Sequence, residues 1–165
     1  MKSRENEINE TLKNVFDPEI PMLSVIDLGM ITAVKWDDKT ITVSMIPTYA
    51  ACPASGYIKK LILDALNASF PASTNDVLID TTIHWDTNRI SEFGKQRLKE
   101  ARITPPPFVT AEVTREMLLG IACPVCNGTQ TFLQMPFGYT LCRAIHFCKT
   151  CNQSFEQFKP LKIDS

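Results

Sequence analysis

The chain has 165 residues, 44% of them hydrophobic and 21% charged, which is enough for one domain or two small ones. That balance excludes an extended disordered polymer. Seventeen Lys and Arg against eighteen Asp and Glu leave a net charge of -1, which argues against a protein built to grip phosphate backbones.

The amino terminus, Met1 to Glu7, is polar and has no signal-peptide core. No apolar run reaches the length of a bilayer span. These features predict a cytoplasmic protein with no membrane partner. In a reducing compartment cysteines serve more often as metal ligands or reactive thiols than as disulfides. The six are unevenly placed: Cys123, Cys126, Cys142, Cys148 and Cys151 crowd the last quarter, and Cys52 stands alone.

Taken in chain order, residues 1–103 read as one small α/β domain. Ile8, Leu12 and Val15 make an apolar stripe on a first helix, which Asp17-Pro18 should end. Met30–Trp36 and Thr40–Ile46 are strand-like, and Ile41, Val43 and Met45 alternate with polar residues on the second. Asp37-Asp38-Lys39 suits a hairpin turn. After a loop, Ile58, Leu61, Ile62, Ala65 and Leu66 mark another helix, and Val77–Trp85 a third strand with Val77, Ile79, Ile83 and Trp85 facing the core. A strand–helix–strand order predicts a right-handed crossover and parallel pairing of the second and third strands. A polar helix follows over Ser91–Ala101. Residues 104–120, opening on Thr104-Pro105-Pro106-Pro107, read as a stiff linker. Residues 121–165 are too cysteine-rich and too short to build a large core unaided. The expected fold is therefore α+β, a mixed-sheet domain followed by a zinc ribbon.

Cys123-Pro124-Val125-Cys126 and Cys148-Lys149-Thr150-Cys151 share one spacing, which lets both sulfurs of each pair face a common point. Two such pairs supply the four thiolates of a tetrahedral structural zinc site. Iron–sulfur clusters also use four thiolates, so spacing alone leaves iron open. Cys142 has two readings, a substitute ligand or an ordinary buried thiol. His146 lies near enough in sequence to join the metal, although four cysteines already satisfy zinc. His84 reads as a surface or packing histidine on the third strand.

Cys52 precedes Pro53, a residue suited to the first turn of a helix. A thiol at a helix start sees the positive end of the dipole, although spacing alone favours an inert thiol for a lone Cys-Pro. Asp17, Glu19 and Asp27 lie in loops before the first strand, where turn chemistry accounts for them. No phosphate loop, catalytic triad order or HExxH motif occurs, so an accessory protein is expected rather than an enzyme.

Both halves resemble the PaaD family, small subunits encoded with the bacterial phenylacetyl-CoA epoxidase. The residues that carry the likeness are Asp17-Pro18-Glu19-Ile20-Pro21, Asp27-Leu28-Gly29-Met30, Pro47-Thr48-Tyr49, Cys52-Pro53 and Ile103-Thr104-Pro105-Pro106. In the second half they are Cys123-Pro124-Val125-Cys126, Phe137 to Ala144, Cys148-Lys149-Thr150-Cys151 and Phe155 to Lys159. The first half is also similar to the domain of SufT and other iron–sulfur assembly factors. The resemblance implies a maturation factor for the di-iron or iron–sulfur centres of the epoxidase, with its oxygenase and reductase components as partners. It implies that Cys52 makes transient contact with iron or a cluster, with Asp17, Glu19 and Asp27 shaping that site, and that a partner or a second copy completes the ligands. Two other readings compete: a structural or docking subunit with passive cysteines, and a nucleic-acid-binding ribbon. From Ile121 onward Arg143, Lys149, Lys159 and Lys162 face only Glu156 and Asp164, too small a surplus to favour nucleic acid.

Overall fold

The computed structural model describes residues 2–48 and 53–162. It divides between Trp85 and Asp86 into two compact units, each taken by itself below.

The first unit opens with α1 (Lys2–Leu12), which buries Ile8 and Leu12 one turn apart. The helix ends at Leu12, well before Asp17-Pro18, and Val15 is buried beyond its end. A short antiparallel bridge between Phe16 and Ser24 then closes the first acidic loop. β1 (Ile31–Asp37) and β2 (Thr40–Met45) pair antiparallel through Asp38 and Lys39. Asp38 takes a positive φ of 50°, a conformation its short polar side chain tolerates. Ile41, Val43 and Met45 are all fully buried, as their alternation predicts.

α2 (Ser55–Ser69) buries Ile58, Ile62 and Leu66 and returns the chain to β3 (Thr74–Ile79). β3 pairs parallel with β2, Val43 opposite Val77, as the crossover argument requires. The third strand is shorter than the expected Val77–Trp85. Asp80 Oδ1 accepts from the Thr82 backbone N–H at 2.8 Å and from Thr82 Oγ1 at 2.6 Å, closing a turn that breaks the two-residue period. Ile79 and Ile83 are consequently exposed rather than in the core, and His84 lies on an irregular exposed segment. Trp85 is buried by a different route: its indole Nε1–H donates to the Leu28 carbonyl at 2.6 Å.

The second unit contains α3 (Glu92–Glu100), capped by Ser91, whose Oγ accepts from the Gly94 N–H at 2.9 Å. Next come β4 (Ile103–Thr104), β5 (Thr131–Met135), β6 (Arg143–Cys148) and β7 (Gln153–Phe158). Their order in the sheet is β4-β7-β6-β5, with β4 parallel to β7 and the other neighbours antiparallel. The division of the chain therefore precedes the 103/104 boundary read from the sequence, because Ile103 and Thr104 find their backbone partners at Glu156 and Gln157. The proline-rich stretch is also held in place. Pro106 is buried, and the Asn88 side chain both donates to the Val109 carbonyl and accepts from its N–H, at 2.7 and 2.8 Å. Among the described residues no helix is long and apolar enough to cross a membrane.

Candidate metal centre

The first cysteine knuckle is a tight turn closed by its own backbone. The Asn127 N–H donates to the Cys123 carbonyl at 2.8 Å, and the Cys123 N–H donates to the Gly128 carbonyl at 3.0 Å. Asn127 has φ 58°. The second knuckle leaves the end of β6 at Cys148, passes Cys151 and enters β7 through Asn152, which has φ 55°. Each Cys-x-x-Cys pair is thus followed by an asparagine in the left-handed region, which asparagine reaches at less cost than bulkier residues. The two turns are joined where the Lys149 N–H donates to the Gln130 carbonyl at 2.9 Å.

This folding brings the Sγ atoms of Cys123, Cys126, Cys148 and Cys151 within 4.8 Å of one another. Cys123 and Cys151 are separated by 3.8 Å, and Cys126 and Cys148 by 3.6 Å. Zinc–sulfur bonds of about 2.3 Å place the corners of a tetrahedron about 3.8 Å apart, so the donor set fits zinc. Four thiolates would fill every position and leave no open site for substrate. Cys123 and Cys148 are buried against Phe155, with Ile121 and Cys151 packed alongside.

Cys148 and Cys151 differ in acidity. Burial opposes ionisation of Cys148, but backbone N–H groups of Cys151 and Thr150 more than offset it and hold the thiol at about 6. Burial, together with shared contacts to Cys126, Cys123 and Cys148, pushes Cys151 up to about 12. Metal binding must displace the protons that the sulfurs still carry.

Cys142 and His146 stand outside the four-sulfur group. Cys142 Sγ lies 3.0 Å from Thr140 Oγ1. His146 is fully buried, with Nε2 3.0 Å from Gln157 Oε1 and its ring stacked on Phe155 at 5.4 Å. Gln157 is fixed in turn by donating to the Met117 carbonyl at 3.0 Å. Position along β6 is the reason: Cys148 ends the strand at the knuckle, while His146 lies two residues earlier, opposite Phe155 in the register. Among the described residues, the group close enough to share a metal includes neither Cys142, read as a substitute ligand, nor His146.

Asp17, Glu19 and Asp27 lie in the two loops before β1. Asp17 is buried, and its Oδ1 accepts from the N–H groups of Glu19 and Ile20 at 2.7 and 3.1 Å. Asp27 accepts from Ser24 Oγ at 2.6 Å. Among the described residues these three carboxylates do not form a group close enough to share a metal. Cys52 lies outside the described residues.

The chain is similar to two families in succession. Residues 5–77 match the family described as iron-sulfur cluster assembly protein, and residues 109–159 match the PaaD zinc beta ribbon domain. An Escherichia coli (strain K12) protein, named as a putative subunit of 1,2-phenylacetyl-CoA epoxidase, is 31% identical over 156 residues, spanning 93% of this chain and 92% of that relative. The chain belongs to the PaaD family. Solved structures resemble its assembly-type part. A domain of unknown function from Bacillus anthracis is 25% identical with a TM-score of 0.56, covering 59% of this chain and 92% of its own. A conserved hypothetical protein from Thermotoga maritima is 25% identical with a TM-score of 0.50, covering 57% of this chain and 92% of its own. The PaaD resemblance read from the sequence therefore holds, as does the fold of a mixed α/β sheet followed by a zinc ribbon.

Proposed function

We propose that this PaaD-family chain is a cytoplasmic, non-catalytic maturation factor for the metal centres of a multicomponent phenylacetyl-CoA epoxidase in aerobic phenylacetate degradation. Its partners are the oxygenase and reductase components. The observation that carries the reading is the union in one chain of an assembly-type domain and a PaaD ribbon, along the length of a relative named as an epoxidase subunit. Cys123, Cys126, Cys148 and Cys151 hold a zinc ion whose contribution is structural, fixing the two knuckles. Iron or an iron–sulfur cluster is cargo. Cys52, set before Pro53 and the start of α2 at Ser55, contacts it transiently, and Asp17, Glu19 and Asp27 shape that site. An incomplete ligand set on this chain suits release, and a partner or second copy supplies the rest.

The test is production of the epoxidase components with the wild-type chain, with Cys52→Ser, and without the chain, followed by metal analysis of the purified epoxidase. Cys52→Ser is expected to leave the zinc content of this chain unchanged and to yield epoxidase poor in iron. Full iron loading with Cys52→Ser removes the cargo role. A loss of epoxidase activity at full iron content, seen only without the chain, identifies a docking subunit instead.

A further inference from the structure

In a chain that is 21% charged, the stretch from Met117 to Cys142 contains no Asp, Glu, Lys, Arg or His. Much of it is on the surface. Phe132 and Met135 on β5 are exposed, as are Phe137, Tyr139 and Leu141 in the loop that follows, Tyr139 by 88% and Leu141 by 64%. β5 is the outermost strand of its sheet, and among the described residues no strand pairs with its free edge. Edge strands are ordinarily blunted by charges, prolines or bulges. Here Pro136 and a bulge between Leu133 and Met135 guard one end, which leaves the Thr131–Leu133 end able to take a further strand. Exposed apolar surface of this extent is a liability unless it is used.

Two lysines border this surface. The Lys149 ammonium stands 5.5 Å from the centroid of the Phe132 ring. That of Lys159 stands 4.3 Å from the centroid of the Phe137 ring and donates to the Pro136 carbonyl at 3.0 Å. Each cation sits over an aromatic face and keeps N–H donors for an incoming anion. The neighbouring carboxylate, Glu156, is already paired with Arg143 at 3.2 Å.

We propose that the free edge of β5 and the Phe137–Leu141 loop bind an extended segment of a partner protein in which apolar residues alternate with Asp or Glu. Backbone pairing with β5 supplies affinity, the exposed aromatics receive the apolar side chains, and Lys149 and Lys159 select for acid. A second copy of this chain fits less well. Antiparallel pairing of β5 with itself brings the same two lysines of both copies together, and like charges oppose it. The inference does not depend on metal transfer, and the iron content of the epoxidase is blind to it.

The test uses the zinc-loaded full chain and a display library of random short peptides, with selected sequences made synthetically and titrated while backbone amide signals are followed. Selected peptides are expected to alternate apolar and acidic residues and to shift the signals of Thr131–Leu133 and the Phe137–Leu141 loop. Lys149→Glu with Lys159→Glu should weaken them by roughly tenfold or more, and so should Tyr139→Ala, whose side chain is nearly all in solvent. Zinc content and unfolding temperature verify that these variants fold. Selection without acidic enrichment, or shifts confined elsewhere, overturns the proposal. Concentration-dependent β5 shifts with a sedimenting dimer and no peptide competition also overturn it, and make a second copy the occupant.

Discussion

A Cβ added to Gly128 would stand 2.7 Å from Thr150 Oγ1 and 2.9 Å from Thr150 Cβ. Thr150 belongs to the second knuckle and Gly128 closes the first, so this approach sets the spacing between the two cysteine pairs. The same Cβ would meet Cys126 Sγ at 3.2 Å. Space rather than backbone conformation demands glycine here.

Gly128→Ala should therefore destabilise the ribbon by about 1–3 kcal/mol, the usual cost of overpacking, and weaken zinc binding with it. Thermal unfolding and competition with a chromogenic chelator measure the two effects. Thr150→Gly in the same chain should recover much of the loss. Additive costs in the double variant would show that the two residues do not interact.

The four-sulfur group should release its metal as pH falls, because each thiolate must be deprotonated to bind and protons compete for the same sulfurs. A strong chelator at neutral pH should have the same consequence. The expected signature is loss of amide dispersion in residues 121–158 while the signals of the first unit persist. Purified protein should contain zinc in stoichiometric amount, and Cys123→Ser or Cys151→Ser should lose it and become protease-sensitive after Pro107. Stoichiometric iron without zinc would contradict the assignment.

Asp17 separates loop architecture from metal handling. Its Oδ1 accepts two backbone N–H groups, so Asp17→Ala should cost about 1–2 kcal/mol in denaturant unfolding. Asp17→Asn keeps an acceptor oxygen and should cost less. If the charge itself serves cargo, epoxidase made with Asp17→Asn comes out low in iron although the chain is nearly as stable. Equal iron from both proteins confines Asp17 to the loop.

Truncation distinguishes the two candidate boundaries. A chain ending at Trp85 retains β1, β2, β3, both helices of the first unit and the Trp85–Leu28 bond, and should unfold cooperatively. A chain ending at Pro107 also carries α3 and β4, but β4 has lost its partner β7. Residues 86–107 of that longer fragment should show fast amide exchange. Protection there would mean that α3 and β4 fold without the ribbon.

Much was legible locally. The alternation of Ile41, Val43 and Met45 identifies β2 and its buried face, because side chains on a strand point to opposite sides in turn. The stripe Ile58, Ile62 and Leu66 identifies α2, and the strand–helix–strand order requires β2 and β3 to be parallel. The repeated Cys-x-x-Cys pairs name the four clustered sulfurs, because two intervening residues suffice to turn one sulfur toward the other. Other features lay outside what periodicity and knuckle spacing reveal. Asp80 turns back on Thr82 and ends β3, so Ile83 never reaches the core to which its spacing assigned it. Ile103 joins the ribbon sheet because Glu156 offers it a backbone ladder. His146 stays outside the four-sulfur group because the register of β6 against β7 seats it opposite Phe155, and Gly128 matters only once Thr150 is beside it. Periodicity and knuckle spacing are properties of a few consecutive residues, whereas register, edge pairing and close approach are properties of pairs that meet only after long loops have closed.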